Sequence, residues 1–147
     1  MRNCLIALLF SCGVLCAQQV PTPNRCNETP ISQLQMDRCA DFEFHQSDAR
    51  LNKVYQKVLQ YMTEDSVKAK AGNDQAQVDY EQKAIDGLKQ AEHDWITYRD
   101  AQCSAAAHQY EGGSMAPMIY SQCLTTLTKQ RIDALKSIYE DDGWKLE

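Results

Sequence analysis

The sequence predicts an all-α protein, an antiparallel bundle of three long helices stapled by two disulfides. Three observations lead to this prediction. Apolar residues recur at helical spacing in three segments, turn-forming stretches separate those segments, and four cysteines remain once an apolar N-terminal segment is set aside. No stretch of any length alternates apolar and polar residues as a strand does. Three long helices with short connections pack most simply in alternating directions.

The first seventeen residues have the three parts of a secretory signal. Arg2 provides the positive charge, an apolar run extends to about Leu15, and Ala17 is a small residue suited to cleavage. We therefore expect residues 1–17 to be removed, leaving a periplasmic or secreted chain with no transmembrane segment. Lipid anchoring at Cys12 is the less favoured alternative, because the residues before it match a lipoprotein signal only in part.

The first helix is predicted to start near Ser32. Residues 18–30 are polar and contain two prolines, which indicates an extended lead-in, and the domain is predicted to span residues 31–140. Ser32 and Gln35 have the spacing of a capping box. Asp48 falls on the apolar face of this helix. The apolar positions of that face are Leu51, Val54, Tyr55, Val58, Leu59 and Met62.

Two turns divide the rest of the domain. Gly72–Asp74 is predicted to end the first helix and Gly112–Ser114 the second, and Pro117 fits the first turn of a third helix. Residues 141–147 are predicted to be a flexible acidic tail. The predicted inner face of the second helix carries Ile85, Leu88, Ala91, Trp95, Tyr98, Arg99 and Gln102. That of the third carries Tyr120, Cys123, Leu124, Leu127, Arg131, Leu135 and Ile138.

The four cysteines of the mature chain, Cys26, Cys39, Cys103 and Cys123, predict two disulfides, and three pairings are possible. Gly113 lies midway between Cys103 and Cys123, so a helical hairpin turning there brings these two together. Cys26 would then pair with Cys39. Each bond closes a short loop and is worth about 3 kcal/mol in the chain-entropy model. A zinc site or a redox role is disfavoured, since no pair has C-x-x-C spacing.

Asp48 and Arg99 are charged residues on the inner faces of two different helices. An unpaired buried charge is very costly, so we expect them to form an ion pair, with Asn52 completing the hydrogen bonding of the carboxylate. This pair is interpreted as structural, fixing the register of two helices, rather than as catalytic.

No residues form a recognisable catalytic or cofactor site. The histidines are scattered, and Ser114 lacks the G-x-S-x-G setting of a nucleophile, so we expect no enzyme, no cofactor and no metal. The net charge of −5 becomes −6 when Arg2 leaves with the signal. An acidic chain argues against nucleic-acid binding and favours a cationic partner.

Several short motifs follow one another along the chain together with the cysteines. They are Met36-x-x-Cys39-Ala40, Asp48-x-x-Leu51-Asn52-x-x-Tyr55, Gln90-Ala91-x-x-x-Trp95-x-x-Tyr98-Arg99-Asp100-x-x-Cys103, Tyr110-x-Gly112-Gly113-Ser114 and Cys123-x-x-x-Leu127-Thr128-x-x-Arg131. In this order they resemble the LprI-type lysozyme inhibitor domain from Cys26 to about Leu135. The resemblance implies an exported helical protein that inhibits lysozyme.

The leading functional hypothesis is binding to a cationic lysozyme or related muramidase, whose two-carboxylate cleft would be blocked by occlusion. The candidate contact is the tip formed by Gly112, Gly113, Ser114 and Met115, which also fits a plain turn. The alternative is a structural or protein-interaction module of the cell envelope without an enzyme target. A hydrolase is the least favoured hypothesis.

Overall fold

Three helices make up the described part of the chain. The computed structural model describes Cys26, Thr29, residues 32–140 and residues 143–147. The predicted signal segment 1–17 and nearly all of the lead-in 18–30 lie outside these residues. In chain order the helices are α1 (Gln33–Ala71), α2 (Gln75–His108) and α3 (Ala116–Tyr139). Since no strand occurs in the described residues, the all-α prediction is confirmed.

Helix α1 begins and ends at the predicted signals. Ser32 is its N-cap, and the serine side chain accepts a hydrogen bond of 3.2 Å from the backbone N–H three residues later. At the other end Gly72 is the C-cap, and Asn73 adopts a left-handed φ of 56°. Asp74 then caps α2 through its carboxylate. Three residues therefore reverse the chain between the first two helices.

The helices differ in length, and this decides the shape of the bundle. Helices of 39, 34 and 24 residues are roughly 58, 51 and 36 Å long. All three pairs of helices are in contact, and the α1–α2 hairpin continues beyond the end of α3. No described helix has the length and apolarity to span a membrane. The core cluster consists of Leu51, Val54, Val58, Met62, Ile85, Leu88, Ile132, Leu135 and Leu146.

Both predicted disulfides are present, so the predicted pairing is confirmed. The Cα atoms of Cys26 and Cys39 lie 5.5 Å apart, and those of Cys103 and Cys123 lie 5.4 Å apart. Both distances fall in the usual range for a disulfide. One bond ties the segment before α1 to the second turn of that helix, and the other joins α2 to α3 below the tip.

The buried face of α2 differs from the predicted one. Ala91 and Gln102 are exposed, and Tyr98 is 56% exposed, whereas Glu92 is buried. The sequence pattern assigns Ala91 and Tyr98 to the inner face because they are apolar, and it leaves Glu92 out because it is charged. Glu92 lies one turn after Leu88 and occupies the true face, because its charge has a partner on α3.

The buried face of α3 also differs from the predicted one, but at fewer positions. Ile138, predicted to face inward, is 59% exposed, while Ile132 is only 1% exposed. The centre of the buried face also contains Thr128, which is fully buried. Among the described residues the Thr128 hydroxyl has no hydrogen-bond partner. A buried polar group without a partner is a cost that packing elsewhere must offset.

Replacing Thr128 with Val is expected to raise the free energy of unfolding by about 1 kcal/mol, because the methyl group fills the same space and the unpaired hydroxyl disappears. Thr125→Val is the matched control. The Thr125 hydroxyl donates to the Ser121 carbonyl at 2.9 Å, so its loss is expected to cost about 1 kcal/mol. Urea unfolding of both variants checks this. Equal destabilisation of the two would show that the Thr128 hydroxyl has a partner.

Residues 143–147, here called the C-terminal strap, pack back onto the bundle. The Gly143 N–H donates to the Glu140 carbonyl, and Gly143 has a φ of 86°. The Trp144 ring stacks on Tyr61 of α1 and on Tyr139 of α3, with centroid distances of 5.0 and 5.4 Å. Leu146 is only 5% exposed. These contacts differ from the flexible tail that the sequence predicts.

The last residue of the strap bridges two helices. The Glu147 carboxylate accepts hydrogen bonds from Arg50 of α1 and, at 2.9 Å, from Lys136 of α3. The hydrogen bond from Arg50, followed by that from Lys136, lowers the pKa of Glu147 from 4.5 to about 2. The same contacts raise the pKa values of Arg50 and Lys136.

This shift gives a pH dependence of stability with a definite sign. Because the pKa of Glu147 is lower in the folded chain, its contribution is present above about pH 4.5 and is lost as the pH falls through 2. Wild type is therefore expected to be more stable than Glu147→Gln at neutral pH and equally stable near pH 2. Urea unfolding of both proteins across this range measures the difference. A difference that persists unchanged at pH 2 would contradict the assigned ion pairs.

Candidate functional site

Arg99 lies at the centre of the bundle, on the inner face of α2. Its side chain is 8% exposed, and its Nη1 donates to Asp48 Oδ1 of α1 at 3.0 Å. Its Nε donates to Asp100 Oδ1 at 2.9 Å. Asn52, one turn after Asp48, donates to the other oxygen of that carboxylate at 3.2 Å. The two charges that the sequence assigns to facing helices thus bind each other, and the guanidinium faces two carboxylates.

Aromatic rings complete the surroundings of this guanidinium. The Cζ atom of Arg99 lies 5.2 Å from the Phe44 ring centroid and 5.1 Å from that of Trp95. These distances are within the range of cation–π attraction. The two rings stabilise the charge of a guanidinium whose side chain is only 8% exposed, and its Nε and Nη1 are held by carboxylates.

A second ion pair joins α2 to α3. Arg131 Nε donates to Glu92 Oε2 at 2.9 Å, and the two side chains are 17% and 10% exposed. The Arg131 guanidinium also lies 5.8 Å from the Trp95 ring centroid. Trp95 is therefore flanked by two arginines, each paired with a carboxylate on another helix. We call this set of residues, Asp48, Glu92, Arg99, Asp100 and Arg131 together with Phe44 and Trp95, the charge layer.

Tyr55 of α1 adjoins the charge layer. Its pKa is raised, first by burial of the phenol and then by the negative charge of Glu92, while Arg131 acts in the opposite direction. The phenol therefore keeps its proton at neutral pH. It is a poor base and a poor nucleophile in that state.

The chemistry of the charge layer is that of a structural network. Each guanidinium is held by a carboxylate of another helix, so the layer joins α1 to α2 and α2 to α3. Across the described residues no three His, Cys, Asp or Glu side chains are grouped to hold a metal ion. Asp48 and Arg99 are in contact between α1 and α2, and their role in fixing the register of these helices stays a prediction.

The tip that the sequence assigns to binding is a blunt connection between α2 and α3. Gly112 has a φ of 78°, and the Gly113 N–H donates to the Tyr110 carbonyl at 3.0 Å. Gly112, Gly113, Ser114 and Met115 are all exposed, Met115 to 40%. Successive tight turns leave no extended loop here. A flat contact therefore fits this geometry better than a thin inserted finger.

A shallow depression of about 380 Å³ lies beside the tip. It is lined mainly by apolar groups of Ala107, Pro117 and Tyr120, with His108 and Glu111 at one side. The His108 and Glu111 side chains approach to 2.7 Å, and both are largely exposed. Tyr110 on the tip is 40% exposed. The tip end of the bundle thus combines a shallow apolar surface with few charges.

Negative charge is concentrated on α2. This helix has six acidic and three basic residues, a net charge of −3, whereas α1 is neutral with six of each and α3 has one acidic and three basic residues. Among the described residues, four α2 carboxylates accept hydrogen bonds from a glutamine one turn earlier, which leaves their charge unneutralised. These carboxylates are Asp79, Glu81, Asp86 and Asp94, the last also in contact with His93.

The fold and these surfaces define a small helical-bundle protein, stapled by disulfides and with ion pairs between its helices. The family described as Lysozyme inhibitor LprI matches residues 26–135, so the chain belongs to the LprI family. A curated relative from Rhizobium meliloti (strain 1021), Uncharacterized protein R02472, is 37% identical over 135 residues, which cover 92% of each chain. No solved structure matches.

The sequence identifies two of the five charged residues of the charge layer as a pair. Asp48 and Arg99 are each a charge on an apolar stripe, whereas Arg131 was placed on the inner face of α3 without a partner. Glu92 was missed. The unpaired Arg131 on the inner face of α3 was the available signal, since a buried guanidinium requires a carboxylate on a facing helix.

Proposed function

We propose that this protein is exported and binds a lysozyme or related muramidase, blocking the access of substrate to its cleft. The observation that carries the proposal is the match of the Lysozyme inhibitor LprI family across residues 26–135, which includes most of all three helices. The two disulfides are compatible with a location outside the cytoplasm, where such bonds persist.

Surface charge supports a cationic partner. The outer face of α2 carries carboxylates whose hydrogen bonds come from neutral amides, so their field extends into solvent. Opposite charges on a partner would accelerate association and contribute affinity that falls as salt rises. Tyr98, exposed to 56% on the same helix, offers an aromatic side chain of the type that interfaces favour.

The blocking step is proposed to be steric. The tip is broad and compact, so it would cover the mouth of a cleft rather than reach its floor, with the nearby Tyr110 and Met115 side chains making apolar contacts. No group of the inhibitor needs to react. Inhibition should therefore be reversible and proportional to occupancy.

Binding to an immobilised c-type lysozyme at low and high salt tests the proposal. The variant Asp79→Asn, Asp86→Asn, Asp94→Asn removes charges distant from the tip, so it is expected to lower the association rate about 10-fold at low salt, with a smaller loss at high salt. The control variant Glu43→Gln, Glu64→Gln, Asp133→Asn removes three exposed charges from α1 and α3. It should bind nearly as wild type does.

The tip is tested separately, with no change in net charge. Ser114→Lys together with Met115→Glu is expected to abolish inhibition while leaving helical content and stability intact, since both residues are exposed. Unchanged potency would remove the tip from the mechanism.

If wild type binds no muramidase and instead captures an assembly protein from envelope extract, the alternative of an envelope interaction module replaces the proposal.

A further inference from the structure

The C-terminal strap fills a groove between α1 and α3 with three side chains of different chemistry. The indole of Trp144 enters a slot bounded by Tyr61 and Tyr139. Leu146 joins the hydrophobic core cluster. Glu147 reaches Arg50 on one helix and Lys136 on the other. The groove therefore has an aromatic position, an aliphatic position and a cationic position, arranged in the order of an extended segment.

The strap is held more weakly than the helices that it covers. Residues 144–147 belong to no helix or strand, and a hydrogen bond of 3.3 Å from the Tyr61 hydroxyl to the Lys145 carbonyl joins their backbone to the bundle. The ion pairs of Glu147 involve an Arg50 side chain that is 52% exposed and a Lys136 side chain that is 25% exposed. Ion pairs between partly exposed side chains are screened by solvent, so these pairs add only a modest, pH-dependent contribution to closure of the strap.

Release of the strap would take Leu146 out of the core cluster but would break none of the cross-links between the helices. The two disulfides and the two ion pairs of the charge layer that join different helices involve none of residues 143–147. Segments with few backbone hydrogen bonds open at a lower free energy than the core does. An opened groove exposes the faces of Tyr61 and Tyr139 beside the position of Leu146, which is an apolar surface that favours a new occupant.

We propose that this groove is a recognition site for an extended protein segment with an aromatic residue, an aliphatic residue two positions later and a carboxylate directly after it. The strap is the intramolecular occupant that such a segment displaces. The spacing is that of Trp144, Leu146 and Glu147, the three residues whose side chains the groove holds. This site is separate from lysozyme binding and does not depend on it.

Competition from the strap sets the strength of partner binding. A tethered segment has an effective concentration in the millimolar range. A free segment of the same sequence therefore binds weakly while the strap is closed, and it binds much better once the strap is disabled. A natural partner would overcome this by multiple contacts or by high local concentration.

The test uses a fluorescently labelled peptide with the sequence of residues 140–147, blocked at both ends. It is titrated into the full oxidised chain and into the variant Trp144→Ser, Leu146→Ser. Saturable binding at least about 10-fold tighter to the variant than to wild type is expected. A control peptide, with serine in place of its tryptophan and leucine, should not bind either protein. Absence of saturable binding to a variant that retains its helical circular dichroism would overturn the proposal.

Thiol modification covers the case in which the double variant unfolds. In Leu146→Cys the new thiol is shielded from a thiol reagent while the strap is closed, and Leu135→Cys places a matched thiol in the core of the helices. The Leu146→Cys thiol is expected to react about 100-fold faster than the Leu135→Cys thiol, because the strap opens without unfolding the bundle. Equal rates, set for both by global unfolding, would make the strap an integral part of the core, and the proposed site would then not exist as an accessible groove.

Discussion

Replacing Glu92 with Ala lowers the expected free energy of unfolding by about 3 kcal/mol, the largest effect predicted for a single residue of this protein. Glu92 neutralises Arg131, whose side chain is 17% exposed and lies over the Trp95 ring. Without the carboxylate the guanidinium stays in the bundle with no counter-charge. The decrease in the free energy of unfolding then reflects a desolvated charge without a partner, which costs more than the loss of one hydrogen bond.

Two matched variants separate this explanation from a general loss of charge. Asp65→Ala breaks the exposed pair with Lys68 and is expected to cost less than about 1 kcal/mol. Glu92→Leu combined with Arg131→Met removes both buried charges and should recover most of the stability lost in Glu92→Ala. Urea unfolding of the four proteins measures these differences. A double variant as unstable as Glu92→Ala would mean that the lost packing, and not the orphaned charge, sets the cost.

Removing the Cys103–Cys123 bond is expected to cost about 3 kcal/mol. Twenty positions of sequence separate the two cysteines, and the bond restricts the unfolded chain by closing this loop. Cys103 is fully buried at the junction of α2 and α3, so both cysteines are replaced with alanine to avoid burying a new hydroxyl. Thermal unfolding of Cys103→Ala, Cys123→Ala against the oxidised wild type gives the loss directly.

The other disulfide provides the comparison. Cys26 and Cys39 are thirteen positions apart, so the chain-entropy model assigns their bond a similar value, about 3 kcal/mol. Cys26, however, lies before the Ser32 cap and outside the core cluster. Breaking the Cys26–Cys39 bond should raise the conformational entropy of the folded chain as well as that of the unfolded chain. The decrease in the free energy of unfolding should therefore be clearly smaller than for the Cys103–Cys123 bond. If Cys26→Ala, Cys39→Ala were the more damaging pair, the lead-in would have to be part of the stable fold.

The helices could be predicted from the sequence because their ends are set by the capping and turn residues at those positions. Ser32, Gly72–Asp74 and Pro117 act within one turn of their own position, and each lies where the structure begins or ends a helix. The inner face of α1 was also predicted correctly, since its apolar residues are large and evenly spaced. Local signals of this kind do not depend on the rest of the fold.

Features that depend on a distant partner were harder to predict. Glu92 is buried only because Arg131 faces it from another helix, and a hydrophobic pattern excludes such a residue by its charge. The strap was missed for a similar reason. Trp144 and Leu146 are two apolar residues in an acidic segment, too few for any periodicity, and their burial depends on a slot formed by Tyr61 and Tyr139.

The most direct test of the proposed function is the clearing of a bacterial cell-wall suspension by a c-type lysozyme, with and without excess oxidised protein spanning Gln18 to Glu147. Dose-dependent slowing of clearing is expected, and it should be stronger at low salt than at physiological salt. The same protein with its disulfides reduced and blocked serves as the control and should have little effect. Full lysozyme activity in the presence of excess folded, oxidised protein at both salt concentrations would contradict the account.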